Sequence, residues 1–252
     1  MTSSTQITFN RRGPVGHLVL NRPEMKNAQT FEMWKALRQL GQELLAEPGD
    51  LAVVVVSGAG GCFSSGIDTS VFSSGALLTG AVDGKEVQEA FSWLRTGPFL
   101  TLAVIEKYAL GAGLELALWC DMRLAIEGTI FSLPEIEFGI IPDLGGCSLL
   151  PEICGYGRAI DIITTARRFD VVEAHRMGLV NEIVATDKIH QRAEELATVL
   201  CKRTLASLRG SKRATVAALP DPTHSLAVSQ EALQECVRVI AEAMKQNIGP
   251  KR

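Results

Sequence analysis

The chain has 252 residues, 46% of them hydrophobic and 21% charged, with 23 glycines, a formal net charge of −3 and a pI near 5.9. Those values describe an ordinary globular chain long enough for a sizeable core, and they exclude a collagenous or disordered one. A slightly acidic chain has no global positive field to draw in nucleic acid or an anionic membrane, so an anionic ligand has to be met by local Lys and Arg.

Met1 to Phe9 is polar and lacks the basic and apolar segments of a signal peptide. No apolar run reaches the roughly 18–20 residues that span a bilayer; the longest, Ala109 to Cys120, contains Glu115. The six cysteines (Cys62, Cys120, Cys147, Cys154, Cys201, Cys236) form no C-x-x-C pair and read as reduced thiols of a cytoplasmic protein.

Ile7–Arg12 and Val15–Leu20 read as two short strands joined at Gly13-Pro14. Thr30 is placed to cap a helix through Leu45, in which Phe31, Trp34, Leu37, Leu40 and Leu44 recur at helical spacing. Leu51–Val56 is a continuous apolar run, the mark of a strand covered on both faces, and it ends in the glycine-rich turn Ser57-Gly58-Ala59-Gly60-Gly61. Ser73 to Gly84 reads as a mobile loop, followed by a helix around Glu86–Leu94, a buried strand at Leu100–Ile105 and a short apolar helix at Gly111–Trp119. Strands are expected at Met122–Ala125 and Thr129–Ser132. Beyond Pro142 the pattern turns helical at Gly145–Ile153, Gly157–Thr165 and Val172–Met177, extended at Leu179–Val184, and helical again from Asp187 to Gln246 with a break at Leu219-Pro220-Asp221-Pro222. Strands alternating with helices and then a helical tail imply an α/β core with a helical C-terminal appendage.

Two strand-to-helix junctions are candidates for chemistry: Cys62-Phe63-Ser64-Ser65-Gly66-Ile67-Asp68 and Tyr108-Ala109-Leu110-Gly111-Ala112-Gly113-Leu114-Glu115. Small residues let backbone approach a ligand, and a helix N-terminus offers unpaired N–H groups. Two such junctions side by side could aim two amides at one oxygen; tight packing of ordinary turns is the other reading. Neither junction gives G-x-G-x-x-G, and no Gly-Lys-Ser/Thr makes a P-loop.

Glu115 is the only charged side chain between Lys107 and Asp121. A carboxylate buried there must be paired or protonated, with a raised pKa, which is either an acid–base signature or an ion pair with Lys107 or Arg123. A second acidic cluster follows in Ser132-Leu133-Pro134-Glu135-Ile136-Glu137-Phe138, where alternation turns at least one glutamate into apolar surroundings. Asp143 immediately precedes a helix and reads as its cap. Four scattered histidines without H-E-x-x-H argue against a metal site, and the absence of G-x-S-x-G argues against serine hydrolysis.

Taken together, these residues resemble the enoyl-CoA hydratase/isomerase (crotonase) superfamily. The resemblance runs from Leu20-Asn21-Arg22-Pro23 with Asn27-Ala28 to Arg167-Arg168-Phe169-Asp170 and Gly178-Leu179-Val180-Asn181-Glu182. It is sharpest at Phe63-Ser64-Ser65-Gly66-Ile67-Asp68, Ala109 to Leu116, Cys120-Asp121-Met122-Arg123 and Pro134-Glu135-Ile136. It implies an α/β fold, a crotonase-like spiral of ββα units over 1–190, with a helical C-terminal trimerisation region over 191–252, assembled as a homotrimer or dimer of trimers. It implies an acyl-CoA thioester substrate and no cofactor or metal. Backbone N–H groups of Ile67 and Ala112 would form an oxyanion hole, and Glu115 and Glu135 would be the two glutamates of a hydratase. Lys26, Asn27, Ala28, Ser64, Ser65, Gly66, Asp68 and Gly111 fall in segments that contact substrate and CoA. Hydration of a trans-2-enoyl-CoA to a 3-hydroxyacyl-CoA is the expected reaction.

The chain departs from the usual hydratase pattern in two places. Asp143 stands where well-known hydratases commonly have glycine; there it resembles dienoyl-CoA isomerases, so double-bond isomerisation using Asp143 is the alternative. A dehalogenase of the superfamily also has aspartate there, but it has tryptophan where this chain has Glu135. Ile105-Glu106-Lys107-Tyr108 replaces a common Asn-Gly-Tyr or Asn-Gly-His pattern. A non-catalytic acyl-CoA-binding protein is the remaining reading, which buried acids oppose because a pure binder gains nothing from their cost.

Overall fold

The structure, a computed structural model, describes residues 5–73 and 84–245. Strands β1 (Ile7–Arg12) and β2 (Val15–Leu20) pair antiparallel with Arg12 opposite Val15 across the Gly13 turn. Alternate residues Gly16, Leu18 and Leu20 of β2 turn inward. β2 then pairs parallel with β3 (Val53–Gly58), β3 with β4 (Leu100–Ile105), β4 with β6 (Met122–Ile126) and β6 with β9 (Glu182–Val184), giving a six-stranded sheet in the order β1-β2-β3-β4-β6-β9. A smaller sheet holds β5 (Tyr108–Leu110), β7 (Ile130–Ser132) and β8 (Phe169–Asp170).

The chain climbs as a spiral. After each of β2, β3, β4 and β6 a short extended piece enters a second layer before the next helix. Those pieces are linked in turn by the bridge Gln29–Ile67, the bridge Ser64–Ala109 and the β5–β7 pairing. This is the expected ββα repeat.

Helix α1 (Phe31–Ala46) starts where Thr30 Oγ1 accepts the Met33 N–H at 3.2 Å, and it buries Met33, Trp34, Leu37 and Leu40. It packs on α3 (Gly84–Thr96), which lies over the same core. α2 (Thr69–Ser73) is a single turn after the Ile67 bridge. The β-branched run is covered on both faces: Val54 and Val56 join the main core, while Val53 and Val55 meet Leu102, Val104 and Leu124 beneath α8 (Ile189–Cys201). Ile189, Ala193 and Ala197, one helical turn apart, make that contact. The expected boundary at residue 190 thus falls in the first turn of a helix laid on the large sheet.

The remaining helices are α4 (Ala112–Leu118), α5 (Gly146–Cys154), α6 (Tyr156–Thr165), α7 (Val171–Arg176), α9 (Leu205–Ala217) and α10 (Pro222–Lys245). Several expectations need correction. The strand expected at Leu51–Val56 runs Val53–Gly58, two residues later, because Pro48-Gly49-Asp50 keeps the chain turning until Leu51, whose N–H bonds to Pro48 O. The helical tail breaks at Lys202–Thr204 as well as near Pro220, and Thr204 caps α9 through the Ser207 N–H. Glu135–Phe138 is a 3-10 turn rather than an alternating extended segment, though it still buries Glu135 and exposes Glu137. The expected mobile loop between Ser73 and Gly84 lies outside the described residues at 74–83; its first and last residues belong to α2 and α3.

Candidate active site

Two peptide units at the edge of the second layer are built alike. The Gly66 carbonyl accepts from the Gln29 N–H at 2.7 Å, so a trans peptide turns the Ile67 N–H the opposite way. The Gly111 carbonyl accepts from the Glu115 N–H at 2.9 Å, so the Ala112 N–H, first of α4, points out of the helix end. Neither amide has a protein acceptor among the described residues. Gly66 (φ 99°) and Gly111 (φ 50°) hold conformations other residues avoid, and a Cβ on Gly66 would lie 2.9 Å from Leu110 O. The two segments therefore lie against each other, which only glycine at position 66 permits.

Three carboxyl groups gather beside them. Glu115, on the first turn of α4, is 1% exposed; Glu135 is 5% and Asp143 8% exposed. Glu115 Oε1 accepts from the Gly146 N–H at 2.9 Å, at the start of α5. Glu135 Oε1 stands 2.7 Å from where a Cβ on Gly111 would be, and its Oε2 is buried with no hydrogen-bond partner among the described residues. Asp143 is fixed through its backbone, its carbonyl accepting from Gln88 Nε2 at 2.8 Å and its N–H bonding to Ile141 O.

Burial is the main force on their protons, and mutual repulsion adds to it. Glu115 is raised well above its ordinary range by burial, then by Glu135 and Asp143, against the pull of the Gly146 and Leu144 amides. Burial lifts Glu135 to about 7, with Asp143 adding to the rise, and lifts Asp143 to about 7. Among the described residues no cation offsets these shifts: the ion pair of Glu115 with Lys107 or Arg123 does not form. Arg123 donates instead to Leu179 O, Cys120 O and Ala117 O. Lys107 stands 5.8 Å from the Tyr108 ring centre. A cluster of three acids whose proton affinities are all raised can both accept and donate protons.

The expected cap at Asp143 is also corrected. The N-cap residue of α5 is Gly145, which has no side chain to cap it, and Asp143 belongs to the acid cluster. The residue that meets the α5 N-terminus is Glu115, a relationship the sequence reading missed. The Gly145-Gly146 pair was its one signal, since a Cβ on Gly146 would lie 3.2 Å from Glu115 Oε1. Gln88 and Trp119 were missed too; Trp119 Nε1 donates to Leu144 O at 2.7 Å and steadies the same turn.

The remaining candidate positions split between framework and surface. Asn27 is fully buried, taking the Arg22 N–H and donating to Ala59 O and Cys62 O. Ser64 Oγ donates to Asn27 O and accepts from the Gly66 N–H. Asp68 takes the Ser70 hydroxyl and N–H and pairs with Arg22 at 2.8 Å, which together hold its carboxyl at about 2. Ala28 O accepts from Arg22 Nη1 at 2.7 Å. These side chains tie the Gly66 segment to the second layer. Ser65 is partly exposed, and Lys26 is exposed with its ammonium 5.9 Å from the Tyr108 ring centre. Glu106, unexplained by sequence, pairs with His190 at 3.1 Å, and Lys107 takes a left-handed turn (φ 60°) where β4 passes into β5.

A family model described as enoyl-CoA hydratase/isomerase matches residues 10–239. A Rhizobium meliloti protein named probable enoyl-CoA hydratase is 33% identical over 207 residues, 81% of this chain and 78% of that protein. The short-chain-enoyl-CoA hydratase of Clostridium acetobutylicum is 29% identical over 231 residues, 91% of this chain and 88% of that one. The crystal structure of a Thermobifida fusca YX protein in complex with acetoacetyl-CoA superposes with a TM-score of 0.82 at 31% identity, covering 96% of this chain and 97% of that one.

Proposed function

The chain belongs to the enoyl-CoA hydratase/isomerase family, and on that premise we propose that it hydrates a trans-2-enoyl-CoA to a 3-hydroxyacyl-CoA at the Glu115–Glu135 pair. The observation that carries this reading is the two protonatable glutamates, buried beside two acceptor-less amides. In the proposed cycle the thioester carbonyl accepts from the Ile67 and Ala112 N–H groups, which stabilise the enolate as charge moves onto oxygen. Loss of one such donor in other enzymes costs roughly 2.7–4 kcal/mol.

A water held between the glutamates gives a proton to one carboxylate as its oxygen bonds to C3. The electron pair of the C2–C3 double bond moves through C2 to the thioester oxygen. The other glutamate, as the acid, returns a proton to C2, and the water is added without residue. Carboxyl groups with raised proton affinities suit both steps. The chemistry needs no metal or redox cofactor. Lys26 and the Ser64 to Asp68 segment, with Gly111, are the positions proposed to meet the CoA and thioester portions of the substrate.

Asp143 favours a second reading. Its carboxyl does not cap α5, pairs with no cation among the described residues, and repels Glu115. In a dienoyl-CoA it would move a proton between carbons with Glu115 and Glu135, shifting double bonds with no net addition.

The proposal extends to assembly and place. α10 exposes Val228, Val239 and Met244, apolar surface consistent with a homotrimer or dimer of trimers. All six cysteines are free, in keeping with a reducing cytoplasm, and among the described residues no helix is long and apolar enough to cross a membrane. The activity is tested by adding trans-2-enoyl-CoAs of increasing chain length and following the conjugated-thioester absorbance. A fall for at least one length is expected; no fall at any length overturns the reading.

A further inference from the structure

At the far end of α4 from the acids, a cavity of about 340 Å³ opens between α9, α5 and the starts of β4 and β6. Arg95, Arg123 and Lys212 line it together with Asp121 and Glu152, so three cations face two carboxylates and one positive charge is in excess. Both carboxylates are already engaged. Glu152 spends both oxygens on Arg95 Nη2, at 3.0 and 2.9 Å. Asp121 Oδ2 takes Lys212 Nζ at 2.8 Å, the Thr101 N–H at 2.7 Å and the Thr101 hydroxyl at 3.1 Å. Lys212 is the one buried side chain of α9, and it also donates to Leu94 O and Phe99 O, fixing the helix as a wall of the cavity.

Arg123 is the unbalanced group. It is 5% exposed and has no carboxylate within ion-pair distance among the described residues. Its Nε and Nη1 are spent on the carbonyls of Leu179, Ala117 and Cys120, Nη2 has no acceptor among the described residues, and the residue lines the cavity. Asp121 attracts Arg123 only from beyond ion-pair distance and is already paired with Lys212, so burying the guanidinium stays costly and an anion seated against Nη2 relieves that cost. Around this charged floor stand Leu100, Leu118, Ile153, Leu208, Val216 and Leu219. A cavity of this size, mostly apolar with a few convergent polar groups, has the composition of a small-molecule site.

We propose that this cavity binds a small aliphatic carboxylate, its head on Arg123 Nη2 and its tail against the leucines and Val216, as a site separate from the acid cluster. Titration calorimetry of the full chain with sodium octanoate tests this, with 1-octanol as the same tail without charge. Val216→Trp fills the cavity from its partly exposed wall, and Leu208→Trp is a second filling variant should the first lose its cooperative melt. Octanoate should bind the parent protein at least tenfold more tightly than octanol does, and at least tenfold more tightly than it binds the filled variant. Equal octanoate affinity in parent and filled variants places the ligand elsewhere and overturns the proposal. So does equal affinity for octanol, or no binding up to millimolar concentration.

Discussion

The Gly146 N–H donates to Glu115 Oε1 at 2.9 Å, so a helix-terminal amide, not a cation, holds the most buried carboxyl of the cluster. An amide and a partial helix charge steady the group without committing it to the ionised form, as a full positive charge would do. The glutamate therefore keeps the proton-exchanging character that hydration requires.

Replacing Glu115 by glutamine keeps the Gly146 hydrogen bond, since the amide oxygen still accepts, but removes the proton carrier. Hydration should fall by about 10²–10⁴-fold, the usual range for a lost acid–base group. The melting temperature at pH 8 should stay level or rise, because a costly buried acid is gone. Steady-state rates and a thermal melt read both; a variant that retains parent turnover removes Glu115 from the mechanism.

Gly111→Ala tests the packing at the α4 start. The new methyl would sit 2.7 Å from Glu135 Oε1 on a backbone with φ 50°, so Glu135 must swing away and the Ala112 amide must tilt. The loss should appear in kcat rather than in CoA affinity, at about tenfold or more, because a misplacement on the ångström scale is enough to spoil aligned chemistry. Unchanged kcat would show that neither group needs its present position.

Asp143→Asn removes a like charge that raises both Glu115 and Glu135. Each glutamate should then ionise at lower pH, and the acidic limb of the kcat/KM profile should move to lower pH than in the parent. Rates on an enoyl-CoA measured from pH 5 to 9 read the displacement; a shift to higher pH contradicts the assigned repulsion. If the chain isomerises dienoyl-CoAs, that activity alone should vanish in this variant.

Stability should also depend on these protons. The native state keeps the Glu135 proton up to about 7, against an ordinary 4.5 in the unfolded chain. Between those values the native protein binds more protons, so stability falls as pH rises through the window and is lowest above it. For Glu135 alone the difference is about 3 kcal/mol at about 1.4 kcal/mol per unit. Glu135→Gln should flatten the decline of the melting temperature between pH 5 and 8, and calorimetry at matched ionic strength measures it. An equally steep decline in the variant would mean other groups carry it.

Much of this arrangement is legible in the residues themselves. The β1–β2 hairpin follows from alternation and its Gly13-Pro14 turn, and the valine run of β3 reports burial on both faces. Glu115 and Glu135 stand out because an acid among leucines and isoleucines has few reasons to be there. What escapes a linear reading is short or distant. β5 spans three residues inside a glycine-rich segment, too few to show a period. The break before α9 lacks glycine and proline, and only the Thr204 cap marks it. The Gly146 clamp joins residues 31 apart in sequence, and its existence depends on how α5 lies against α4. Asp143 is legible only in part: its position before a helix suggests a cap, the resemblance to isomerases suggests chemistry, and packing sets it near the other two acids.

The most direct test is a mass-resolved incubation of parent and Glu115→Gln, Glu135→Gln double variant with a trans-2-enoyl-CoA in ¹⁸O-labelled water. The parent should yield a 3-hydroxyacyl-CoA heavier by one labelled water, at a rate at least a hundredfold above the variant. Product of unchanged mass, or equal labelling by both proteins, would contradict hydration at this pair of carboxyl groups.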